Sequence, residues 1–187
     1  MPTEFGPVFA ALLKGDRRRA LDGGKADESA RVSLEQATLD VAFAHAKIVD
    51  RDMALCCLAG VWLLHDFLDE SHTISQGVET GSGSFWHGMM HRREGDFSNA
   101  KYWFRRVGSH EVLDVLGEHV VSLGSDASSL ALAERIARKG QFDPYAMADA
   151  CQAATRQGGD AEQFCRRVQQ VEWELLFAHC YRVAIGE

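Results

Sequence analysis

Proline is scarce, with three residues in 187, and that leaves room for helices without breaks. Basic charge is in deficit: 20 Lys and Arg stand against 27 Asp and Glu, for a net charge of −7. Such a chain lacks the broad basic face that displaces counterions from nucleic acid, so no nucleic-acid partner is expected. There is no run of 18 apolar residues, and the richest stretch stops at His65 and Asp66, so no membrane partner is expected either. The first residues carry no basic segment ahead of their short apolar run, unlike a secretory signal. Cys56, Cys57, Cys151, Cys165 and Cys180 are odd in number and include no C-x-x-C pair. They read as reduced, buried thiols of a cytoplasmic protein rather than a disulfide frame or a cysteine zinc site. A Walker loop, a G-x-G-x-x-G turn and a G-x-S-x-G elbow are all missing, which leaves nucleotide-binding and serine-hydrolase chemistry of those types without support.

Alternating β-branched runs are also missing, whereas helix signals recur along the whole chain. Hydrophobic residues at 46% and charged residues at 25% fit one globular domain over 1–187. The expected class is all-α, a single multi-helix domain of seven or eight helices, with 14–32 as a surface loop. Ser33 reads as an N-cap with Gln36 at the capping-box position. Asp50 caps a long helix to about Glu70, striped by Leu58, Val61 and Trp62. A Gly/Ser-rich loop over 76–84 could close over a site. Helices are then expected over 85–94, over 97–107 with Asp96 as cap, over 110–123 and over 127–139. Asp143-Pro144 opens another, and Asp160 with Gln163 caps the last.

Chemistry is concentrated in 84–110. This segment holds five Lys or Arg against Glu94 and Asp96, three of the eight histidines, and the rings of Phe85, Trp86, Phe97, Tyr102, Trp103 and Phe104. Donors, acceptors and rings that exclude water are the ingredients of a polar-ligand pocket. His87, His91 and Glu94 stand at i, i+4 and i+7, on one helical stripe. Two imidazoles one turn apart can share a metal ion, and H-x-x-x-H is the zincin spacing. Gly88, however, stands where that motif needs its glutamate base. The plain alternative is a pair of half-buried histidines packed on aromatics. His65, Asp69 and His72 repeat the same spacing on the preceding helix, where a helix end entering solvent turns polar in any case. Asp69 there could orient a histidine. Of Arg92 and Arg93, pointing about 100° apart, at most one can face a given pocket and clamp an anion. A salt bridge serves either one equally well, and the same holds for Arg105 and Arg106. Glu172 with His179 is a second-rank pair, and His45 and His119 have less support.

Gly95-Asp96-Phe97, Asn99-Ala100 and Tyr102-Trp103-Phe104 are similar to one helix of a tetratricopeptide or Sel1-like repeat. No second copy follows, as an array requires. The longer string from Leu68 to His110, with L-D-E-S-H-T-I-S-Q and F-W-H-G-M-M-H-R-R-E-G-D-F-S-N-A-K-Y-W-F, resembles an uncharacterised, mostly bacterial protein family. That resemblance implies no reaction. It groups Ser71, His72, Gln76, Trp86, His87, His91, Arg92, Arg93, Glu94, Asp96, Asn99, Tyr102 and Trp103 as parts of one motif.

Three functions follow as expectations. The first is a helical domain binding a small polar or anionic ligand without metal. In it His72, His87 and His91 are the candidate catalytic acid–base residues. His65, Asp69, Gln76, Trp86, Arg92, Arg93, Glu94, Tyr102 and Trp103 are the candidate ligand contacts. The second is a metal-dependent hydrolase, with a divalent metal as cofactor on His87 and His91 and a third ligand from His65, Asp69, His72 or Glu94. The third is a structural or protein-interaction module with no catalytic site.

Overall fold

The computed structural model describes the backbone of residues 2–187 and the side chains of residues 4–187. After a 3-10 turn at Pro2–Phe5, the first helices are α1 (Gly6–Leu12), α2 (Arg31–Gln36), α3 (Leu39–Ala42) and α4 (Arg51–Leu64). There follow α5 (Leu68–Gln76), α6 (Gly81–Glu94), α7 (Phe97–Val107), α8 (Glu111–Ser122) and α9 (Ala127–Ile136). A minimal hairpin, β1 (Ala137–Arg138) with β2 (Gln141–Phe142), leads to α10 (Pro144–Gln157) and α11 (Gly159–Ile185). The class is all-α, as the residue pattern implies, but the described residues form eleven α-helices rather than seven or eight.

Two of the additional helices come from breaks inside expected helices, and α1 forms over the short N-terminal apolar run. The segment opened near Ser33 divides into α2 and α3. Its cap is Ala30 rather than Ser33, and Thr38 caps the second piece by accepting from Val41 N. The long helix from Asp50 divides at 65–67, where Asp66 adopts φ +63°, a left-handed conformation that a continuous helix does not allow. The expected Gly/Ser loop is mostly helix: α5 runs to Gln76, and Thr80 caps α6 by accepting from Gly83 N at 3.0 Å. It is therefore part of the packed scaffold rather than a flap. Asp50, Asp96 and Asp143 cap α4, α7 and α10 as their positions imply. Asp160 does not cap α11; it sits in the first turn behind Gly158.

Two apolar cores share the long helix α11. Its C-terminal half, through Trp173, Leu176, Phe177, Cys180 and Tyr181, packs with α1, α4, α6 and α7. Its N-terminal half, through Phe164, Cys165 and Val168, packs with α8, α9 and α10. The segment 14–30 has no regular structure, yet it is tied down along its length. Arg166 donates to the carbonyls of Arg18 and Arg19, Gln169 to that of Ala20, and Arg93 to that of Asp22, while Leu21 is buried. All five cysteines are free and buried. Among the described residues, no helix is long and apolar enough to cross a membrane.

Helix α6 is the structural centre, since every residue from Ser82 to Arg93 is buried. A helix hidden on all sides needs close approaches. On one side Trp86 lies over Gly60 of α4, where a Cβ would sit 2.9 Å from the indole. On another, Gly88 receives the ring of Phe104, and a Cβ there would sit 2.8 Å from it. This packing accounts for a glycine at the position where a zincin carries glutamate.

Candidate metal centre

The third side of α6 is polar. His87 and His91, one turn apart, face α5 and α7, and His72 of α5 meets them. One ring nitrogen from each of the three lies within 4.8 Å of the other two. The ring centroids are 4.5 Å apart for His72 and His87, 4.7 Å for His87 and His91, and 5.3 Å for His72 and His91. His87 and His91 are buried, and His72 is partly open to solvent.

Hydrogen bonds fix the tautomers. Ser75, one turn after His72, donates its hydroxyl proton to the Ser71 carbonyl at 2.8 Å. Its oxygen, 2.9 Å from His87 Nδ1, then accepts from that nitrogen, so the free lone pair of His87 is at Nε2. Glu94 Oε2 lies 2.9 Å from His91 Nδ1 and accepts its proton, which leaves the lone pair of His91 at Nε2 as well. The Asn99 amide, placed by the Asp96 cap at the start of α7, donates to that lone pair at 3.0 Å. No hydrogen bond reaches the His72 ring from the described residues. Burial pushes the His87 imidazole down to about 3, and the neighbouring His91 and His72 act in the same direction, so His87 is neutral at pH 7. Trp103 covers the group, with its ring centroid 4.0 Å from that of His87.

The remaining candidate residues are distributed as follows. Glu94 adjoins the trio through His91, and Trp103 covers it. Tyr102 is exposed and meets Trp103 edge-on at 5.7 Å. Gln76 and Asp69 are exposed on α5, one turn either side of His72, and Asp69 instead borders a shallow cleft with Trp62 and Ile74. His65 is held elsewhere, by the Leu12 carbonyl at 2.9 Å and Asp27 at 3.2 Å. Trp86 belongs to the core, against Trp173. Arg92 and Arg93 are both buried and both paired within the protein, Arg92 with Glu172 and Arg93 with Asp66. Arg92 reaches no cavity and Arg93 borders only a small one beside Arg17 and Arg19, away from the histidines, so both charges are spent on carboxylates of the protein rather than on an anion at the trio. The second-rank residues are also engaged: His179 with Glu111, His45 with Tyr181, and His119 with a carbonyl of its own helix.

Ser75 was not singled out from the sequence. The available signal was its position three residues after His72, which puts both on the face of α5 that meets α6.

A set of three imidazole ligands suits a borderline metal such as zinc. Zn–N bonds of about 2.0–2.1 Å set tetrahedral ligand nitrogens about 3.3 Å apart, so small side-chain rotations would close this trio onto an ion. The two tied Nδ1 atoms, one on a hydroxyl and one on a carboxylate, match the way metal-binding histidines are oriented from behind. No protein-family model, curated protein or solved structure matches this chain.

Proposed function

We propose that this protein binds a divalent transition-metal ion, with zinc the best fit, through His72, His87 and His91. The observation that supports this most is the convergence of three imidazoles, two of which are held by Ser75 and Glu94 in the tautomer that offers Nε2. Three protein ligands leave a fourth position for water or a small ligand, the arrangement of a catalytic rather than a structural zinc. Bound zinc lowers the pKa of its water to about 7, which is the basis of hydrolytic chemistry at such centres. Metal-assisted hydrolysis is therefore the reaction class we assign. Binding does require the Asn99 amide to leave the His91 lone pair.

That Asn99 contact favours a second reading, a metal-free polar pocket in which the histidines hold a small ligand directly. Calorimetric titration of chelator-treated protein with zinc separates the two. The metal reading predicts one equivalent per chain and its loss in His87→Ala and in His91→Ala. Absence of binding at micromolar zinc would overturn it in favour of the metal-free pocket.

A further inference from the structure

The stripe of α7 that faces the trio continues past it. Asn99, Trp103 and Arg106 stand at i, i+4 and i+7, with Tyr102 beside them at i+3. Asn99 meets His91, Trp103 meets His87, and Arg106 comes next along the same stripe. Its guanidinium lies 5.2 Å from the ring centroid of Trp103 and 6.0 Å from that of Tyr102, whose hydroxyl accepts from it at 3.5 Å. Two rings and a hydroxyl thus hold an exposed arginine in place one indole away from the histidines.

The charge of Arg106 is unused. Three other basic residues of this region have carboxylate partners: Arg92 has Glu172, Arg93 has Asp66, and Lys101 has Asp149. Among the described residues, no carboxylate lies within ion-pair distance of Arg106. The adjacent Arg105 also has none, but it points about 100° away around the helix and meets none of these rings. Gln76, one turn from His72, lies exposed at the end of α5 nearer Val78, which packs on Gly83 of α6. Gly81 in turn lies against the Val107 carbonyl beside Arg106. Helices α5, α6 and α7 therefore bring Gln76 and Arg106 to the same end of the trio, while Asp69 and Glu94 mark the other. That end offers a fixed guanidinium and an amide but no acid from the trio's own stripes. Glu79, exposed in the α5–α6 connection, is the nearest acidic residue in sequence.

We infer that the ligand of the metal centre is a small oxyanion, a phosphate or carboxylate group, bound between the metal and the Arg106 guanidinium. The inference rests on the metal reading above. A guanidinium held on aromatic rings has little freedom left to lose, and its fork matches two oxygens of such a group. The Arg106 position thereby supplies the anion recognition that buried Arg92 and Arg93 do not.

The test uses full-length protein and inorganic phosphate as the probe, titrated into zinc-loaded and metal-free samples after free zinc is removed. Phosphate should bind the zinc-loaded form and not the metal-free form. Arg106→Ala should weaken it about tenfold or more with zinc content unchanged, Arg106→Lys should recover part of the loss, and Arg105→Ala should match the parent protein. Equal phosphate affinity in parent and Arg106→Ala, both carrying one zinc, would overturn the inference while leaving the metal reading intact. So would an equal loss in Arg105→Ala, which would reveal a mere effect of net charge, or no phosphate binding to zinc-loaded protein at millimolar concentration. Failure of the parent protein to take up zinc would instead overturn the metal reading, and this inference with it.

Discussion

Two histidine groups flank α6, and they differ in where their lone pairs go. Near the N-terminus of α6, His110 and His179 have ring centroids 4.8 Å apart, as close as the rings of the trio. Yet His110 accepts from Val112 N at Nδ1 and donates from Nε2 to Ser82, and His179 binds Glu111 at 2.7 Å. His110 is a helix cap whose ring is fully used by the protein. In the trio, two Nδ1 atoms are anchored, one nitrogen of each ring lies within 4.8 Å of the other two, and the third ring has no hydrogen-bond partner among the described residues. Proximity of imidazoles is common to both groups, and how many ring nitrogens the protein already uses separates a candidate ligand set from a piece of architecture.

The largest effect expected on either side of this contrast comes from architecture. Arg92→Met leaves Glu172 fully buried without its cation and should cost about 3–5 kcal/mol of stability. Adding Glu172→Leu should recover most of that loss, as read from urea unfolding midpoints. If the double variant is no more stable than the single one, the pair does more than neutralise itself.

His110 supplies the next effect, through pH. Burial, with a smaller contribution from His179, holds its pKa down to about 4, against about 6.5 in the unfolded chain. Between those values the unfolded chain binds more protons than the folded one, so stability rises with pH across that window. Acidification from pH 6.5 to 4 should therefore cost on the order of 1–3 kcal/mol through this group. His110→Asn, which keeps a capping acceptor but does not titrate, should flatten that part of the pH profile. An unchanged profile would remove His110 from the account.

On the trio's side, Ser75→Ala should lower zinc affinity about 10- to 100-fold by freeing the His87 ring, with a loss of about 1–3 kcal/mol of stability for the buried Nδ1 left without its partner. Asn99→Ala should do the opposite and raise zinc affinity by a few-fold, because no amide then competes for the His91 lone pair. Both are read from the same calorimetric titration. A rise for Ser75→Ala or a fall for Asn99→Ala would show that the tautomers are assigned the wrong way round.

The legible part of this design was local. Capping aspartates announced α4, α7 and α10, and the i, i+4 spacing of His87 and His91 fixed their shared side of α6. What stayed hidden depended on phase. A helix running from Asp50 without a break through His72 would align His65, Asp69 and His72 on one stripe. The left-handed turn at Asp66 restarts the helix, so His65 ends up against Leu12 and Asp27 while His72 joins His87. The destinations of Arg92 and Arg93 were hidden for a different reason. Their partners are Glu172, 80 positions away, and Asp66, which sits in that unforeseen turn. A local excess of basic charge cannot reveal an acid delivered from another part of the chain.

X-ray absorption at the zinc edge of reconstituted protein tests the central claim most directly. The account predicts a shell of three imidazole nitrogens at about 2.0–2.1 Å with one further light ligand, reduced to two imidazoles or abolished in His72→Ala and unchanged in His110→Ala. Sulfur scattering at about 2.3 Å, or a spectrum indifferent to His72→Ala, would contradict it.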